Sequence, residues 1–425
     1  MPAWQKVRSG ILLLFLAVCL ILANLAMSAE ISFTPSLNIK EEYTDNLFFD
    51  RTNKKDQFIS TFSPGFEVET KTERGAFNLL GVIDRRVYKQ NPEFNDWNYF
   101  WDGKINYQLT PRLSTFTEAR YRKNSSPDQF LDVTGVEFNT TQPTYTNDYS
   151  FGGEYYLSEK TVADLSYGLV RVTYDNPDNM DYVGNMVNLS LTHNLEEFFS
   201  STIGRMNLGY SHYSLNDPGT SLYEFTPKID FYRPRNTMIN NYTCTIGARH
   251  ALSEKWSVSL DAGPRYTTSE FDTNTIVFPF VTNIKRKTTK DWGPGGHLAL
   301  TYNREKTSAR LTASQEVSPA GASYGATERT NVSVSVSQRF TDKLLGKVSV
   351  NYFLNQADAQ QFSGSKRSLD KKTYTISPAI RYDFNDDLGV EFNYKFSRVK
   401  DQEANTTRDR NLCFFNLVYK HPFFE

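Results

Sequence analysis

Residues 374–396 read YTISPAIRYDFNDDLGVEFNYKF, and this stretch decides the fold. In its first half Tyr374, Ile376, Pro378, Ile380, Tyr382 and Phe384 alternate with Thr375, Ser377, Ala379, Arg381 and Asp383. After the polar link 385–387 the alternation resumes. Leu388, Val390, Phe392, Tyr394 and Phe396 stand against Glu391, Asn393 and Lys395. A period of two sends successive side chains to opposite faces of a strand, so this is a β-hairpin with one apolar and one polar face. An arm of about 11 residues at roughly 3.3 Å each reaches about 36 Å. Tilted by about 40°, it covers the ~25 Å apolar band of an outer-membrane barrel.

The same unit recurs along the chain. Strand-like alternation occupies 31–43, 58–68, 77–83, 97–109, 113–121 and 149–157. It continues at 162–174, 183–191, 203–212, 223–231, 240–250 and 256–266, then at 292–302, 309–317, 332–340, 348–354 and 412–423. Short links (71–75, 110–111, 158–160, 253–255, 303–306, 341–344, 385–387) alternate with long ones (44–56, 123–144, 271–288, 319–329, 356–370, 399–410). Short turns on one side and long loops on the other mark an outer-membrane barrel. The segments number 19, whereas a single-chain bacterial barrel has an even count. The surplus lies between the turns at 158–160 and 253–255, where the spacing suits four strands rather than five. The expectation is therefore an all-β, transmembrane, antiparallel up-and-down barrel of about 18 strands, with 16 or 20 as alternatives. Segment 223–231 is then an extension above the membrane.

Composition agrees. Mean hydropathy is only −0.53, yet 14% of the 425 residues are aromatic, with 25 Tyr and 31 Phe. A polar lumen, an apolar outer face and interfacial aromatic rings explain that combination. At the N-terminus Lys6 and Arg8 precede the apolar run 11–27 and the small residues Ser28 and Ala29. This reads as a secretory signal peptide over 1–29, with a retained anchor as the competing reading. The domains are thus 1–29 (signal) and 30–425 (barrel). No other apolar run reaches the ~20 residues of a spanning helix. Without the signal, 45 Lys+Arg face 48 Asp+Glu, a balance that excludes nucleic acid as a partner. Cys244 and Cys413 lie on distant strands in apolar phase, which gives no disulfide framework.

Ala320–Gly325 spells G-x-S-x-G in a glycine-rich link, outside the strand–helix turn that a nucleophile elbow needs. His193, His212, His250, His297 and His421 show no metal-ligand spacing. The sequence therefore points to a non-enzyme with no cofactor and no metal, lipid modification at the membrane being a minor alternative. The charged phase of the strands carries more information. Asp84, Arg86, Asp102, Lys104, Glu118, Arg120 and Arg122 share it in the first half. Asp261, Arg265, Arg310, Arg381, Asp383, Glu391 and Lys395 continue it, joined by Arg205 and Glu316. On lipid each charge would cost up to about 2–4 kcal/mol at mid-bilayer, so these residues are expected to line the lumen. On the strand 97–109 this sets Trp101 and Ile105 outward, Asp102 and Lys104 inward. A self-neutralised interior and a wet channel with opposed charge rows both fit that pattern.

One resemblance is carried by specific residues. Thr34-Pro35-Ser36-Leu37, then Glu42-Tyr43-Thr44-Asp45-Asn46-Leu47-Phe48, then Ser63-Pro64-Gly65-Phe66, followed by turns Tyr156-Leu157-Ser158-Glu159 and Ala251-Leu252-Ser253-Glu254, make up the pattern. It resembles the outer-membrane β-barrel proteins associated with exopolysaccharide and exosortase (PEP-CTERM) systems. The resemblance implies an outer-membrane protein of a Gram-negative envelope near polysaccharide export. Its partners would be outer-membrane lipid and lipopolysaccharide, the barrel assembly machinery, and polysaccharide-export components. It supplies no catalytic residues. Such barrels commonly finish on an aromatic residue, whereas this sequence reads Phe424-Glu425. Two functions follow as expectations: a channel or export-associated pore, or a structural, adhesin-like barrel whose loops bind outside the cell.

Overall fold

The computed structural model describes residues 30–137, 141–176, 179–216, 236–277, 281–319, 326–359, 361 and 368–423. They form one antiparallel sheet of eighteen strands, and β1 pairs with both β2 and β18, so the sheet closes into a barrel. The strands are β1 Glu30–Thr44, β2 Gln57–Lys71, β3 Gly75–Tyr88, β4 Asp96–Thr110, β5 Leu113–Asn124 and β6 Thr144–Tyr156. Next come β7 Thr161–Tyr174, β8 Asp181–Asn194, β9 Thr202–Asn216, β10 Asn236–Ala251, β11 Trp256–Val277 and β12 Val281–Arg304. The last six are β13 Thr307–Pro319, β14 Ala326–Arg339, β15 Leu344–Ala357, β16 Leu369–Asp383, β17 Leu388–Asp401 and β18 Thr406–Lys420. A closed ladder leaves no sheet edge for lipid to satisfy, which is the condition for strands to span a bilayer.

The outer face carries the height of the membrane. On β11 the outward positions run from Trp256 through Val258, Leu260, Ala262 and Pro264 to Tyr266. Trp256 packs on Tyr302 at a ring separation of 4.7 Å at the short-turn end. At the other end Tyr210, Tyr242, Tyr266 and Trp292 form a row across β9–β12, with successive rings 5.1, 6.2 and 4.7 Å apart. Ten residues separate the two girdles, about 33 Å along the strand. At a tilt of about 40° that is the ~25 Å of an apolar band. Leu260, half exposed and beside Leu298, sits near its middle. Leu260→Arg is expected to cost about 2–4 kcal/mol and to reduce heat-modifiable, assembled barrel on unboiled gels. On β4, Ile105 lies one outward position from the girdle residue Tyr107. Arginine there sits near the interface and costs only about 0–1 kcal/mol.

Among the described residues the window between the turns at 158–160 and 253–255 holds four strands, β7–β10. Several long links are shorter than the sequence suggests. Most of 271–288, expected as a loop, is the upper part of the β11–β12 hairpin, paired up to Val277 with Val281. Likewise 399–410 is mostly strand, because β17 and β18 stay paired up to Asp401 with Thr406. Above the membrane both faces of a strand meet water, so the apolar alternation that marks strands disappears there. The last strand ends at Lys420, although the N–H of Phe423 still donates to the Phe33 carbonyl at 2.8 Å. Residues 1–29, segment 223–231, the G-x-S-x-G stretch and Phe424-Glu425 lie outside the described residues.

At one place the wall overlaps itself. The β12–β13 ladder stops at Gly296 opposite Gln315, while β12 continues upward paired with β11 alone. The upper ends of β13 and β14 bend inward. Val317 and Ala326 bury against Tyr213, Leu215 and Ile239, which belong to the inward face of β9 and β10. Asn241 Nδ2 donates to the Val317 carbonyl at 3.3 Å. The sequence at this height is Gly293-Pro294-Gly295-Gly296, facing Gly263-Pro264 of β11. Pro294 offers no N–H to a ladder, and the glycines, which keep theirs, bring no side chains to pack against a neighbouring strand, so this height of β12 is a weak place for a further partner.

Candidate functional site in the barrel lumen

Residues 125–137, which follow β5, turn into the barrel. Ser125 begins the turn: its N–H and its hydroxyl both donate to Asn98 Oδ1 on the inner face of β4, at 2.9 and 3.0 Å. Pro127 then precedes a short helix, α1 Asp128–Thr134. Gly135 ends it in the left-handed region at φ +71, with its N–H on the Leu131 carbonyl at 3.0 Å. A proline before the helix and a glycine after it are the usual brackets of such a turn. Gly135 is required twice over, because a Cβ there would also collide with the Phe353 side chain of β15.

This segment docks on strands far from its own. Asn355 Nδ2 donates to the Thr134 carbonyl at 2.8 Å, and the Thr373 hydroxyl donates to the Gly135 carbonyl. Leu131 is fully buried with Phe49 and Val399. Phe49, at φ +56, comes from the first long link and is itself capped by the Arg410 guanidinium 4.2 Å from its ring centre. Charge completes the docking. Asp128 and Asp132 pair with Lys395, Asp128 pairs with Arg410, and Glu137 pairs with Lys371 at 2.7 Å and Arg408 at 3.1 Å. The inward segment is thus acidic and the β16–β18 wall basic, and the two touch directly.

The sequence-selected charges fall into separate groups. Asp102, Lys104, Glu118 and Arg120 join Asp148 in one network on β4–β6, with Lys104–Glu118 at 3.4 Å and Arg120–Asp102 at 3.3 Å. Arg122 lies over the Phe100 ring. Arg86 reaches Glu42 at 3.5 Å, and Asp84 stands one position below it on the same face of β3. Asp261 pairs with Arg205. Arg265, 1% exposed, lies between Asp291 at 3.1 Å and Glu328 at 3.4 Å. Arg381 holds Asp383 at 2.7 Å and stands opposite Glu391. Arg310 stands opposite Thr301 and Ser335 on β13. Of these charges, only Lys395 reaches α1 through an ion pair.

The docking residues themselves escaped the sequence reading. Arg408 and Arg410 fall in the range expected as a loop, and Asp128, Asp132 and Glu137 fall in the polar link 123–144. Lys40 and Glu42 were open to detection, since they alternate with Leu37 and Ile39 on β1. Below α1 lies a polar cavity of about 340 Å³. Lys40, Arg86, Ser349, Thr375, Asn393 and Lys395 line it, together with Asp128 and Asp132 from the segment. Among the described residues no three His, Cys, Asp or Glu side chains converge as a metal-ligand set.

No protein-family model matches the chain. Solved structures share its architecture. It is similar to OccAB4 of Acinetobacter baumannii at 11% identity and a TM-score of 0.47, over 93% of this chain and 99% of that one. It is similar to the outer membrane protein OpdK of Pseudomonas aeruginosa at 10% identity and a TM-score of 0.43, over 92% and 99%. The FrpB iron transporter of Neisseria meningitidis aligns at 10% identity with a TM-score of 0.50, over 92% and 81%. At such identities the likeness concerns fold alone, and that fold is the outer-membrane β-barrel.

Proposed function

We propose that this chain, directed to the outer membrane of a Gram-negative cell by the signal segment 1–29, is a channel narrowed from within by the acidic segment around α1. One observation carries the proposal: an inward-folded acidic link seated on a basic wall, above a lumen lined by mixed charge. Opposed charge in a constriction selects permeating ions by sign, which is how pores of this class discriminate. The reading is non-enzymatic. The resemblance of its first strands to exopolysaccharide-associated barrels supports a setting near polysaccharide export.

Planar-bilayer recording of refolded protein tests it. Steady unitary currents are the expected result. Lys104→Glu is expected to assemble normally and to shift reversal potentials toward cation selectivity, because it adds two negative charge units to a network that already holds Asp102, Glu118 and Asp148. A barrel silent at all voltages overturns the channel reading. The tall β11–β12 hairpin favours a second reading in that event. Its 22- and 24-residue strands rise well above the girdle at Tyr266 and Trp292, as a binding projection would.

A further inference from the structure

We propose that the overlapped seam between β12 and β13 is a lateral portal. Through it a single-chain amphiphile with an ammonium-bearing head passes between the outer leaflet and the lumen, its head resting at the Arg265–Asp291–Glu328 cluster.

Height comes first. Gly296, where the ladder ends, is six residues above the lower girdle residue Tyr302. That is about 20 Å along the strand, or about 15 Å of depth at a tilt of about 40°. Trp292, 71% exposed, marks the upper girdle four residues further on. The unpaired stretch of wall therefore lies within the outer-leaflet part of the apolar band. Among the described residues the other ladders are interrupted in the wall only briefly, at Cys244–Thr245, Ser377–Pro378 and Ser63–Pro64, and resume above each break.

The two sides of the seam differ in chemistry. Outward, Leu298 and Trp292 of β12 and Leu311 and Ala313 of β13 present apolar surface. One step inward, Gln315 donates to Glu328, and Arg265 is held by Asp291 and Glu328. The Arg265 guanidinium lies directly against Gly293, where any side chain would block it. Acyl-compatible surface outside and a polar cluster with one excess negative charge inside, at one height, match an amphiphile that carries a positive group on its head. Side chains rather than a ladder close the seam: Val317 and Ala326 pack on Tyr213, Leu215 and Ile239, Asn241 donates to the Val317 carbonyl, and Arg265 pairs with Glu328. Parting it breaks no β12–β13 ladder bond above Gly296.

The proposal rests on the membrane-embedded reading and is independent of conductance. The probe is lysophosphatidylethanolamine with a diazirine in its acyl chain, incorporated into proteoliposomes, photolysed, and mapped by mass spectrometry. Adducts are expected on outward residues around the barrel, such as Leu189, and additionally on residues behind the seam near Arg265. Ile239→Cys with Val317→Cys, which face each other across the overlap and leave the Arg265–Asp291–Glu328 cluster intact, in a background lacking Cys244 and Cys413, is then bridged by a short bis-methanethiosulfonate reagent. Bridging is expected to abolish the inner adducts and leave the outward ones. Outward adducts without inner ones overturn the portal, as do inner adducts that persist after bridging. If outward adducts are absent as well, the membrane-embedded reading fails with it. Labelled lysophosphatidic acid, whose head is purely anionic, is expected to give outward adducts only; equal inner labelling by both probes overturns the assigned head chemistry.

Discussion

Replacing residues 126–136 with a short Gly-Ser link is expected to raise single-channel conductance several-fold without loss of the barrel. The eighteen-strand wall closes through main-chain pairing in which α1 takes no part. A ring of this size is wide enough for an aqueous channel once its lumen is cleared. Gly135→Val should approach the same result with one side chain. The β-branched residue cannot take φ +71 cheaply, and its Cβ would occupy the space of Phe353. The checks are unitary current and the unboiled gel mobility of the same preparation. Unchanged conductance with an intact barrel would show that the segment does not limit the pore.

Lys371→Met is the second substitution expected to act strongly. Lys371 and Glu137 are both nearly inaccessible, at 5% and 3% side-chain exposure. Removing one partner of a buried pair leaves an uncompensated charge and costs about 3–5 kcal/mol. Arg408, also on Glu137 at 3.1 Å, reduces the loss toward the lower end. The cost falls on docking of the segment and spares the wall, so hydrogen exchange of 128–137 should accelerate while that of β16 stays slow. Lys371→Met combined with Glu137→Leu should recover part of the protection, because the buried pair is then gone and water replaces Glu137 at the quarter-exposed Arg408 guanidinium. Equal exchange in wild type and Lys371→Met would contradict the assignment.

The wall was legible because its rule is local. Tyr374, Ile376, Pro378 and Ile380 alternate with Thr375, Ser377 and Ala379, and no tertiary knowledge is needed to see two faces. Strand number followed once the even count was imposed on 161–252. The lumenal segment obeys no local rule. Phe130 and Leu131 are two apolar residues in a polar link, α1 spans under two turns, and its acidic partners make sense only beside Lys371, Lys395 and Arg410. Pro127 and Gly135 were the available signal, since together they bracket a short helix. The seam was hidden for another reason. Val317 continues the outward phase of β13, yet the bend carries that phase inside, onto Ile239.

The reach of the inward segment also orders events during assembly. Its partners Asn355, Lys371, Thr373 and Arg408 follow it by 221 to 271 residues in sequence. No ribosome-proximal or early hairpin intermediate can offer them, and contacts at such separations form late because chain closure must come first. β1 must find β18 before the basic wall stands opposite α1. Until then the nascent ring is hollow and Lys395 lacks the carboxylates of Asp128 and Asp132, so anionic species in the periplasm meet the chain at its most receptive moment. Seating of the segment is thus the last step of maturation, and it quenches that exposed charge.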